Sequence, residues 1–167
     1  MSTKLASAAF VFIAALADAA TPVQRLPLEA VTQRADRIVH ARVVAVQSGR
    51  DASGVAATWV TFDVKRTLKG AGTEELVVEQ FGADTPLADG VVGRVAGLPA
   101  YALGEEVVLF LRAPSARGFS SPVGLGQGVY RVRVSAQHRT VATDLSGKQE
   151  ALDAFLSKVA ALSGWRR

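Results

Sequence analysis

Between Val39 and Val134 the chain alternates apolar and polar residues with a period of two, as strands with one buried face do. Residues Trp59 to Leu68 show it best. Val60, Phe62, Val64 and Leu68 point one way, and Trp59, Thr61, Asp63, Lys65 and Thr67 point the other. Val129 to Val134 sets Tyr130, Val132 and Val134 against Arg131 and Arg133, and Ile38 to Val46 sets Val39, Ala41, Val43 and Ala45 against His40 and Arg42. Leu76 to Phe81 and Val91 to Leu98 are weaker strand patterns. Val107 to Leu111 is apolar throughout, which predicts a central strand covered on both faces. Turn-forming residues separate these runs at Ser48 to Gly54, Lys69 to Thr73, Asp84 to Gly90 and Pro114 to Gly128. Short strands at this spacing predict a small barrel or a sandwich.

Helical spacing occurs at the two ends. Leu28 to Ala35 predicts about two turns, with Pro27 at a tolerated first-turn position. Near the C-terminus Leu152, Phe155, Leu156, Val159 and Leu162 fall on one face, predicting an amphipathic helix over about 148–162. Ser146 and Gln149 have the spacing of a capping box, and Gly164 suits a helix stop. So apolar a helix face must lie on the sheet.

Ahead of these elements, Lys4 precedes an uncharged apolar run from Leu5 to Ala17, followed by the small-x-small sequence Ala17-Asp18-Ala19. Charge, short apolar stretch and small-residue exit predict a signal peptide over 1–19, cleaved after Ala19. The run is shorter than the ~20 residues of a transmembrane helix, and no second one follows, so no transmembrane span is expected in the mature form. Export to the periplasm or the extracellular medium is the expected destination. Residues 20–167 carry no repeat or linker and read as one domain.

Three phrases sharpen the fold class. Ala35-Asp36 precedes Ile38-Val39 and Ala41-Arg42-Val43, Phe62-Asp63-Val64 leads to Leu68-Lys69-Gly70, and Gly104-Glu105-Glu106 precedes Val107 to Leu111. In these phrases and in element order, residues Leu26 to Leu162 resemble the netrin-like, or tissue-inhibitor-of-metalloproteinase-like, OB-fold domains. The resemblance implies an all-β fold with flanking helices: a small OB-like β-barrel with a short N-terminal helix and an amphipathic C-terminal helix. Animal members are tied by disulfides, whereas this chain has no Cys. The inhibitors chelate a protease zinc through an N-terminal Cys, whereas this mature chain would begin at Ala20 and Thr21. An α-amino group at Ala20 remains able to chelate, but the resemblance assigns no functional residue.

Composition narrows the chemistry. The absence of Cys excludes thiolate zinc sites, iron–sulfur clusters and a Cys nucleophile. The two histidines leave little for a His-rich metal site; both are expected to be exposed and inert, His40 on a polar strand face and His138 in a turn. Ser120 and Ser121 sit in a Gly/Pro-rich loop without a nucleophile elbow. Glu74-Glu75 and Glu105-Glu106 are strand neighbours that face opposite ways, so neither pair shares a site. Asp84 and Asp89 flank a loop without the spacing of a calcium loop. Gly124 to Gly128 leads into a strand rather than a helix, so it reads as a bend and not a phosphate loop. No catalytic residue, metal or cofactor is assigned.

With 19 Lys+Arg against 15 Asp+Glu, the net charge of +4 gives mild attraction to polyanions. Trp59, Thr61 and Lys65 form the candidate binding face, Trp59 being the strand aromatic on the polar side. The expected function is that of an exported, non-enzymatic binding or protein-interaction module. Its partner is expected to be a protein or an envelope component, and not nucleic acid. Two alternatives are a metalloprotease inhibitor acting through Ala20 and Thr21, and a hydrolase assembled from distant loops.

Overall fold

The computed structural model describes residues 24–164. The predicted signal peptide and the candidate N-terminus at Ala20 and Thr21 lie outside the described residues. Helix α1 (Leu28–Arg34) precedes β1 (Arg37–Arg50), β2 (Ala56–Lys69), β3 (Glu75–Ala83), β4 (Gly93–Arg94) and β5 (Glu106–Leu111). Then follow β6 (Val129–Val134), β7 (Thr140–Thr143), β8 (Gln149–Ala151) and α2 (Leu152–Leu162). The eight strands form one antiparallel sheet in the order β4-β3-β2-β1-β5-β6-β7-β8, curled into a half-barrel.

The curl starts in the two long strands. The β1–β2 register shifts at Ile38/Val39, His40/Ala41 and Val43/Ala45, and such bulges bend and twist a strand pair. The segment after β5 then spans the opening. Arg112 N–H donates to Ser121 C=O (3.0 Å), Val123 N–H to Phe110 C=O (2.8 Å) and Ser120 N–H to Glu79 C=O (2.9 Å). Hydrogen bonds therefore run from β1 through β2, β3 and this segment to β5, which pairs with β1 again. At Gly128 a Cβ would lie 2.7 Å from both N and O of Val123, so the close approach that joins the segment to β6 requires glycine. The Gly124 to Gly128 run forms a short 3-10 helix, Leu125–Gly128, leading into β6.

Two cores result. Val39, Ala41, Val43, Val60, Phe62, Val78, Tyr101, Val107, Leu109 and Leu111 fill the inside of the curl. On the other face, Ile38, Leu68, Val108, Phe110 and Ala142 pack against Val31 and Ala35 near α1 and Phe155, Leu156 and Val159 of α2. Residues 107–111 are buried throughout, between β1 and β6.

Four expectations need correction. Leu68 does not share a face with Val60, Phe62 and Val64: it belongs to the helix-side core. The reason is register, since Ala41 opposes Val64 and Val39 opposes Thr67, leaving one extra residue in β2 that inverts the alternation. The C-terminal helix begins at Leu152, not near 148, because Gln149–Ala151 pair with β7 as β8. Ser146 does not cap it. Asp144 Oδ1 accepts from the Ser146 and Lys148 N–H groups (2.8 and 2.9 Å), closing a β7–β8 hairpin instead. Of Val91 to Leu98, only Gly93–Arg94 is a strand. Among the described residues no helix is long and apolar enough to cross a membrane.

Candidate functional site

The helices cover one end of the outer sheet face and leave the rest open. Directly opposed strand residues share a face. Ile38 opposes Phe110 and His40 opposes Val108 under the helices, while Arg42 opposes both Glu106 and Asp63 beyond them. Lys65 reaches the same carboxylate from β2. Residues of β1 and β2 thus converge on Glu106, at the first position of β5.

Glu106 is half-buried and multiply bonded. His40 Nε2 lies 2.7 Å from its Oε1, Lys65 Nζ donates to Oε2, and an Arg42 nitrogen stands 3.5 Å from Oε2. Burial opposes ionisation of Glu106, but the bonds and charges of Lys65 and His40 prevail and hold its carboxyl below the ordinary glutamate value. An ionised carboxylate only accepts, so His40 Nε2 carries the shared hydrogen. His40 is therefore not the exposed histidine expected from its strand position: it is 8% exposed and bonded. A polar residue in alternation with apolar ones signals the outer face, but not that a glutamate on the neighbouring strand will shield it.

Trp59, Thr61 and Lys65 do lie on this outer face, since Val60, Phe62 and Val64 fill the inside of the curl. They do not converge. Six residues of strand separate Trp59 from Lys65, about 20 Å. Lys65 is engaged with Glu106, while Thr61 is half-buried opposite Val77. Trp59, also half-buried, packs over Gly49, where a Cβ would sit 3.0 Å from its ring. The arrangement is a charged cluster at one end and a fixed aromatic at the other.

Glu105 points to the opposite side from Glu106 and pairs with Arg131, which also donates to Ala100 C=O (3.0 Å). Burial pushes the Tyr101 phenol up, and raises Tyr130 to about 12. Asp84 pairs with Arg94 (3.4 Å) and Asp89 with Arg50. No group of three or more His, Asp or Glu is placed to hold a metal ion among the described residues. Ser120 Oγ donates to Arg112 C=O, and His138 occupies a left-handed turn position at φ 57°. The chain matches no protein-family model and no curated protein.

Proposed function

We propose that the chain is an exported, non-enzymatic binding module built on an OB-like barrel, and that its outer sheet face engages a protein or envelope component. The hydrogen-bond circuit through β1, β2, β3, the Arg112–Val123 segment and β5 supports the OB-like reading. The observation that carries the binding reading is the preorganised outer face. Glu106 fixes Lys65 and His40 in place, Arg42 remains 51% exposed beside them, and Trp59 is held against Gly49. Groups fixed before binding lose less entropy on association, and a face with a held aromatic at one end and fixed cations at the other suits an extended polar or anionic partner surface.

The test starts with capture from the exported fraction of the source cells, using the mature chain and mass spectrometry, and continues with the purified partner. Truncating an aromatic anchor typically costs 2 kcal/mol or more, about thirtyfold in affinity. Trp59→Ala and Lys65→Ala should each weaken binding at least tenfold with the fold intact by circular dichroism. Full affinity in both variants would overturn the assignment of this face.

A further inference from the structure

We infer that the free edge of β3 is a second binding site, which captures the extended C-terminal end of a partner polypeptide. The inference goes beyond the outer-face reading and does not depend on it. β3 pairs with β2 along one edge, and on the other it is only partly covered. β4 pairs with Gly82 and Ala83, and Ser120 bonds the Glu79 carbonyl. Below that point the edge diverges from the Leu111–Pro114 stretch and leaves a cleft of about 270 Å³. Leu76, Val77, Val78, Leu111 and Pro114 supply its apolar lining, and Asp36, Arg37 and Arg112 its charges.

The edge and the charges select the same occupant. In an antiparallel strand every second residue turns its N–H and C=O away from the partner strand. Glu79 C=O is turned outward to Ser120, so Val77, two residues earlier, is turned outward too. Its backbone groups face the cleft, ready to pair with an added strand. That strand must be short. Gly118 to Ser120 occupy the edge at Glu79, and Thr73 Oγ1 already donates to Glu75 C=O (2.5 Å). A cleft slightly smaller than a small-molecule pocket, with one free pairing position, takes the last residues of a chain rather than its middle.

Charge complementarity supplies the terminus. Asp36 is engaged, accepting from Ala113 N–H (2.7 Å) and standing 3.7 Å from Arg112 Nε. Arg37 makes no side-chain hydrogen bond or ion pair among the described residues. Two guanidinium groups stand against one carboxylate among the lining side chains, and Arg112 lies at the end of the cleft where the segment from Gly118 to Ser121 takes over the edge. An α-carboxylate there meets a bidentate donor.

The probes are a fluorescein-labelled Gly-Thr-Val-Thr-Val peptide and its C-terminal amide, titrated into the full chain by fluorescence anisotropy and followed at the Val77 amide by NMR. The free acid should bind at least tenfold more tightly than the amide and shift Val77. The double substitution Arg37→Gln with Arg112→Gln should abolish that difference. Val77→Pro, at an edge position that tolerates proline, should weaken both peptides. Trp59→Ala should bind like the wild type, which separates this site from the outer face. Equal binding of acid and amide, or none at millimolar peptide, would overturn the inference. So would a dimer by light scattering that Val77→Pro dissolves, since the edge would then serve a second copy. Should Val77→Pro fail to fold, the arginine pair and the acid–amide comparison decide the matter alone.

Discussion

At the scale of single residues, Glu106 has the widest consequences. Its carboxyl ionises more readily in the folded chain than in the unfolded one. The stabilisation it contributes is complete above the ordinary glutamate value and is lost as the pH falls through the lowered folded-state value. Glu106→Gln keeps an acceptor for His40 but removes the charge facing Lys65. A hydrogen bond to a charged group is worth roughly 1 kcal/mol more than a neutral one, so the variant should be about 1–2 kcal/mol less stable at pH 7. In urea unfolding that gap should close in acid, where the wild-type carboxyl is itself neutral. A gap of the same size at both pH values would show that the charge is not what stabilises the cluster.

At the scale of elements, the helices depend on what they touch. α1 has only 7 residues, too few to persist alone. Its last carbonyls receive Lys69 Nζ at 3.0 and 3.2 Å from Thr32 and Gln33, a cation at the helix C-terminus supplied from the end of β2. α2 has no side-chain cap at Ala151 and is held by its buried face instead. Phe155 is the centre of that face, with its ring 4.5 Å from Tyr130 and 6.4 Å from Phe110. Phe155→Ala should cost about 3–5 kcal/mol, a large part of the roughly 5–15 kcal/mol of a typical domain. Leu162→Ala, at a half-buried position of the same helix, should cost about 1 kcal/mol. Comparable losses in chemical denaturation would mean that α2 is not anchored through Phe155.

At the scale of the whole molecule, stability should grade outward from the shared wall of the two cores. β1 and β5 lie between paired neighbours, and their residues serve both cores. β8 has 3 residues at one end of the sheet and β4 has 2 at the other. Amide hydrogen exchange should be slowest at Val39, Ala41 and Val107 to Leu109, and faster by orders of magnitude at Gln149–Ala151. Equal protection in the two regions would deny the central strands their place as the last to open.

The sequence by itself determined the strand periodicity of β6 and, between their bulges, of β1 and β2 (Ala45, opposite Thr61 past the Val43/Ala45 bulge, faces outward with Thr61 and not with Val43), the burial of Val107 to Leu111, and the apolar stripe of α2. Each of these is local: a period of two or 3.6 needs only neighbouring residues to be read. It also placed Trp59, Thr61 and Lys65 on one side of β2, because alternation holds across those seven positions. The tertiary structure decided whatever depends on pairing. The bulge that turned Leu68 to the helices exists because β1 and β2 disagree by one residue in register. The strand at Gln149–Ala151 exists because Asp144 closes a hairpin where local propensity favours a helix start. Glu106 meets His40 across 66 residues and Lys65 across 41, separations at which the pattern along the chain carries no information on contact. Register and curl set those distances, and both are settled only when the strands pack.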